Sequence, residues 1–242
     1  MAKRGAGRLL LTGNQPFSGT VSVDQGMLQV GSRAARASLG AQVTVANGAG
    51  LSGNGSVGSV LNHGVVASGG ADGTLSVAGN LTNGSDGVLA LTVSSPTATP
   101  LAVGGTAALG GGLVVNSLAP FTGNTTYSLI TAGGGVTGTF SAADLPQYAF
   151  LNSSLIYSAD SVNLAVSRNG NSFADVAATG NQRGTATALT NNGAAGAALQ
   201  NQIVNLSVAG ARNAFDSLSG EIHASTASAM LEDSRFIREA VN

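Results

Sequence analysis

A few stretches of this 242-residue chain hold residue types that could do chemistry. Gly53-Asn54-Gly55-Ser56-Val57-Gly58 has the glycine spacing with which a backbone cradles a pyrophosphate. That chemistry needs a strand before the glycines and a helix after them. Ser59-Val60-Leu61-Asn62 follows with turn signals instead, and a chain with 36 glycines meets the spacing through composition. No cofactor is expected. Gly69-Gly70-Ala71-Asp72-Gly73 is similar to calcium-binding glycine repeats, but it lacks their spacing and does not recur, so no metal ligand is assigned. The two histidines are His63 and His223. A hydrolase needs a nucleophile, a base and an acid that orients the base. Neither histidine lies in such an arrangement along the sequence, and serine is too common here to be informative. His63 reads as a solvated corner in Asn62-His63-Gly64. No catalytic residue is assigned, and an enzyme is not expected. Asn191-Asn192-Gly193 could break the backbone by asparagine cyclisation, but the same triplet is an ordinary turn. The Asn-x-Ser/Thr triplets at Asn54, Asn80, Asn83, Asn124, Asn152 and Asn205 follow from composition and need no glycan.

Composition restricts what could position these groups. Charged residues make up 9% of the chain, against roughly 25% in ordinary globular proteins. Valine and leucine nevertheless recur at short intervals, where a disordered chain would be poor in β-branched residues. The net charge of −1 gives no electrostatic footprint for nucleic acid. The absence of cysteine suits passage through an oxidising compartment. Met1-Ala2-Lys3-Arg4 is followed by only Leu9-Leu10-Leu11, shorter than the apolar core of a signal peptide. The chain is therefore expected to be a piece of something longer.

From Gly5 to about Val115, short apolar pulses alternate with glycine, asparagine and serine turns. Val21-x-Val23, Val43-x-Val45, Leu75-x-Val77 and Leu101-x-Val103 are examples. Strands this short and frequent do not suit long hairpins. They fit the rungs of a parallel β-solenoid better than an antiparallel β-sandwich, the alternative. Glycine and asparagine are expected at corners that need left-handed backbone angles. An open solenoid end is an unpaired sheet edge and must be capped.

The stretch Asn124 to Val166 supplies the cap. Most of the chain's few aromatic residues lie in or beside it: Phe121, Tyr127, Phe140, Tyr148, Phe150 and Tyr157. With Leu129 they form the expected core of a lid over residues 120–168. Each buried ring removes on the order of 150–250 Å² from water. The stem is assigned to residues 1–119, and a helical segment to residues 169–242.

In that last segment, Ser172-Phe173-Ala174-Asp175 reads as a capping box with aspartate in place of the usual glutamate or glutamine. Asn191-Asn192-Gly193 reads as a break. Leu199, Ile203 and Leu206 then recur at helical spacing, with Phe215 and Leu218 extending the face. Glu232 with Arg235, and Arg235 with Glu239, can meet on one helix surface. This final helix has small side chains in its first half and charges in its second. It suits a narrow water-lined tube, or equally an amphipathic helix packed on the solenoid.

These residues resemble a known family. Gly5-Ala6-Gly7-Arg8-Leu9-x-Leu11-Thr12-Gly13-Asn14, with Phe17-Ser18-Gly19-Thr20-Val21 and Gly26 to Gly31, resembles the passenger repeat of bacterial autotransporters (type V secretion). Thr126 to Phe140 resembles the passenger segment called the autochaperone, and Phe173 to Arg183 the start of the linker. Phe215 to Ser225 with Leu231 to Arg238 is the most specific match and resembles the helix leading into the translocator barrel. The resemblance assigns Glu221, His223, Glu232, Arg235 and Arg238 to that linker helix. It implies a right-handed parallel β-helix and a role as folding nucleus and stem in secretion and surface display, rather than in catalysis. The implied location is the bacterial cell surface, outer membrane or exterior, reached through the periplasm. The implied partners are an outer-membrane translocator β-barrel, absent from this sequence, the outer-membrane assembly machinery, and an unidentified host surface. A surface adhesin that binds host glycan or protein along the solenoid is the second reading.

Overall fold

A computed structural model describes residues 1–220. They form two compact units, one made of Met1–Pro146 with Ser153–Ser167, the other of Gln147–Asn152 with the chain from Arg168 on.

The first unit is the expected parallel β-helix, with three faces. The first face stacks Ala2–Lys3, Thr20–Val23, Gln42–Val45, Val60–Asn62, Leu81–Asn83, Ala107–Leu109 and Val136–Gly138, all parallel. The second stacks Arg8–Leu11, Gly26–Val30, Ala49–Gly53, Val65–Ser68, Val88–Val93, Gly112–Ser117 and Ala142–Asp144. The third begins Gly13–Gln15, Ala37–Leu39, Gly55–Val57, Leu75–Val77, Leu101–Val103 and Thr125–Ala132. Each coil contributes one short strand per face, so every apolar pulse in the sequence pairs with the pulse one coil away.

Register turns the pulses into columns. Val21, Val43, Val60, Leu81 and Ala107 stack on the first face, and Leu28, Leu51, Val66, Leu89 and Leu113 on the second. All ten side chains are buried. Burial of each larger aliphatic side chain contributes about 1.5–3 kcal/mol. A slip of one residue would turn a whole column to solvent, which is why the alternation specifies the register.

Turns between the faces need close approach. Gly31 has φ +75°, and a Cβ there would land on the Asn54 carbonyl of the next coil. Gly53 and Gly55, part of the pyrophosphate-like spacing, are likewise packed against the backbone of Val30 and Ala37. Their spacing serves coil stacking.

The expectation for asparagine is corrected. Among the described residues, the only non-glycine residue with positive φ is Asn124. Asn62 and Asn83 end their strands with buried side chains instead. Asn62 Nδ2 donates to Asn83 Oδ1 at 2.7 Å, and Asn83 Nδ2 donates to the carbonyls of Gly87 at 3.2 Å and Gly110 at 2.6 Å. The amides add to the backbone bonds that link the coils at this corner, where the Gly87 carbonyl also accepts from the Gly112 N–H at 2.8 Å.

In the second unit, helices α1 (Phe173–Val176), α2 (Gly180–Asn191), α3 (Ala197–Val204) and α4 (Val208–Leu218) follow one another. Asp175 Oδ2 accepts from the Ser172 N–H and hydroxyl, each at 2.7 Å, as the sequence led us to expect. Helix α2 ends at Asn191, and Gly193 takes φ +50°. Ile203, Val204, Ala211 and Phe215 are buried, whereas Leu199 and Leu218 are exposed, so the apolar face is narrower than the spacing suggested. Glu221, His223, Glu232, Arg235 and Arg238 lie outside the described residues. Among the described residues, no helix is long and apolar enough to cross a membrane.

Candidate functional site

The solenoid changes character at Thr125–Ala132. One edge of this strand continues the parallel ladder, with Leu101 opposite Ile130 and Val103 opposite Ala132. The other edge pairs antiparallel with Ser161–Arg168, with Tyr127 opposite Leu164. Leu151–Tyr157 lies outermost, so the third face ends in an antiparallel hairpin. A bulge between Ser128 and Ile130 interrupts the register. It lets the consecutive residues Leu129 and Ile130 both point inward, where strict alternation would expose one of them. Val162, Leu164 and Val166 of the antiparallel strand are buried too.

The aromatic residues divide between the two units. In the first, Phe121 meets Tyr127 edge-on at 4.9 Å and 85°. Both rings are buried, and Tyr127 Oη accepts from the Thr122 N–H at 2.8 Å. Phe140 and Tyr157 form a half-buried pair with centroids 6.4 Å apart, and the Phe140 N–H donates to Tyr157 Oη at 3.3 Å. In the second unit, Tyr148 is half-buried. Phe150 is buried there against Phe173 at 5.0 Å, and Phe173 lies 6.4 Å from Phe215. The Arg168 guanidinium stands 5.8 Å from the Phe150 and Phe173 rings, a cation–π distance. The sequence window brought together rings that folding assigns to separate cores, because Gln147–Asn152 leaves one unit for the other.

Further down the first unit, His63 Nδ1 lies 2.7 Å from Asp86 Oδ1. The pair is a surface contact between neighbouring coils, with side chains 41% and 44% exposed. Sequence spacing missed it because the partners are 23 residues apart and only coil stacking brings them together. The hydrogen bond to His63 holds the Asp86 carboxyl below its ordinary value of 3.8, and the bonds from Ser172 do the same for Asp175. A depressed carboxylate contributes stability that is present above its unfolded-state value and lost as pH falls through the folded one. Carbon-detected NMR titration should therefore place both inflections below 3.8, and His63→Ala should move that of Asp86 up.

No family model matches the chain. A curated protein named "Extracellular serine protease" from Serratia marcescens is 30% identical over 203 residues, covering 78% of this chain. The chain spans 19% of that relative's length. This similarity overturns the expectation that the chain is not an enzyme. The exclusion rests on the absence of local motifs, whereas catalytic groups are assembled by the fold and need not be neighbours in sequence.

Proposed function

We propose that this chain is a passenger segment of an autotransporter, in which the closing coil and hairpin nucleate folding and the stacked coils form the stem. One observation carries this reading: a parallel ladder of thin coils ends in two long antiparallel-paired strands that bury Tyr127, Leu129, Ile130, Val162, Leu164 and Val166. Thr125–Ala132 and Ser161–Arg168 are eight residues each, while most rungs of the stem have three to five. A three-residue rung cannot offset its own ordering entropy, but it can add to an edge that already exists. Leu151–Tyr157 and Ser161–Arg168 are adjacent in the sheet and joined by a three-residue turn, so that pairing forms at low entropic cost and offers Thr125–Ala132 a ready edge.

In this reading the segment emerges through an outer-membrane barrel, folds outside the cell, and retains each coil by stacking. Folding itself then biases transport outward without a nucleotide. The resemblance of residues 126–140 and 215–238 to autotransporter segments supports it, as does the similarity to a protein named as extracellular. Whatever activity the longer protein has would be carried on this stem. Pulse-labelled hydrogen exchange during refolding tests the order of events. Amides of Thr125–Ala132 and Ser161–Arg168 should gain protection before those of Thr20–Val23. Simultaneous protection along the solenoid, or protection starting at the first coils, would remove the nucleating role.

A further inference from the structure

We propose that a cleft on the second face, walled by Asp72, binds one neutral sugar ring of hexopyranose size. This goes beyond the proposed role of the closing coil and involves other residues. The loop after Val65–Ser68 turns back on itself: the Gly69 N–H donates to the Gly73 carbonyl at 2.9 Å, and the Gly73 N–H to the Gly70 carbonyl at 3.1 Å. Its tip carries Asp72 back across the two preceding coils. Ser52 Oγ donates to Asp72 Oδ2 at 2.9 Å, and Gln29 Nε2 lies 3.4 Å from Asp72 Oδ1. The cleft beside it has a volume of about 210 Å³. Ala67, Ala90, Thr92 and Asn116 line it together with Asp72 and Ser52. These residues come from successive interior coils, so the walls do not depend on either end of the stack.

The site is built rather than incidental. Ser52 and Gln29 are 2% and 3% exposed, and both are directed at the Asp72 carboxylate. The carboxylate keeps lone pairs to spare, and the Asn116 amide and Thr92 hydroxyl can both donate and accept. This set matches the adjacent hydroxyls of a sugar, while the Ala67 and Ala90 methyls in the lining suit its C–H face. Arg8 Nη1 lies 4.0 Å from Asp72 Oδ1 and offsets the negative charge, which favours a neutral ligand over a cation.

The test titrates the full chain with methyl glucopyranoside, galactopyranoside and mannopyranoside while following the amide resonances of Gly70, Asp72 and Gly73. At least one sugar should shift them at millimolar concentration. Asp72→Asn should weaken that sugar about ten-fold by removing a charge-assisted acceptor. Thr92→Leu, at a half-buried position that leaves the core intact, should abolish binding with the urea midpoint unchanged. No shift with any of the three sugars overturns the proposal. So do shifts that survive both variants, or the same shifts produced by calcium chloride or methylammonium and not by the sugars.

Discussion

The double variant Tyr127→Ala/Phe140→Ala is expected to lose about 4–6 kcal/mol of stability and to refold roughly 50-fold more slowly than the parent chain. Most of the loss comes from Tyr127. Truncating a fully packed ring costs about 3–5 kcal/mol through lost transfer energy and the cavity left behind. Tyr127 is 4% exposed, holds the edge contact with Phe121, and its hydroxyl accepts the Thr122 N–H. Phe140 adds about 1 kcal/mol, since its contact with Tyr157 is half-exposed and tilted at 46°. The kinetic part is the discriminating one. If the closing coil is formed in the transition state, about half of the loss appears in the folding rate. Stopped-flow refolding from urea measures it. An unchanged folding limb with a faster unfolding limb would mean that the rings consolidate late, and the proposed nucleus would have to be abandoned.

Asn83→Ala is expected to cost about 2–4 kcal/mol, whereas Asn80→Ala, three residues away, should cost less than about 1 kcal/mol. Asn83 is 3% exposed and links three coils: it accepts from Asn62 Nδ2 and donates to the carbonyls of Gly87 and Gly110. Its removal leaves the buried Asn62 amide and the carbonyls of Gly87 and Gly110 each one bond short, at a cost that burial enlarges. Asn80 Oδ1 also accepts two bonds, from the Thr106 N–H at 3.0 Å and its hydroxyl at 3.2 Å, but at an exposed corner where water can substitute. Urea midpoints of the two variants make the comparison. Equal losses would show that Asn83 acts through corner geometry and not through its buried amide bridge.

Both residues sit in Asn-Gly or Gly-Asn pairs that look alike in the sequence. The pattern of Val21-x-Val23 and its successors was enough to specify short rungs, because side chains alternate with a period of two whatever the tertiary context. Ser172 with Asp175, and the break at Asn191 to Gly193, were legible for the same reason: capping and turn chemistry act within a few residues.

What the sequence determined by itself is therefore local: where the chain pulses, where it turns, and where helix replaces strand. Only the tertiary structure decided which coil lies on which. That step sets His63 against Asp86, carries Asp72 back to Ser52 and Gln29, turns Asn62 and Asn83 inward, and parts Phe150 from Tyr127. Each of these depends on coil lengths that vary from one turn to the next, with first-face strands starting at residues 20, 42, 60, 81 and 107. With no fixed repeat, no spacing rule predicts which side chain faces which across the stack. The neighbours are set by register, and register is set by the buried columns as a whole.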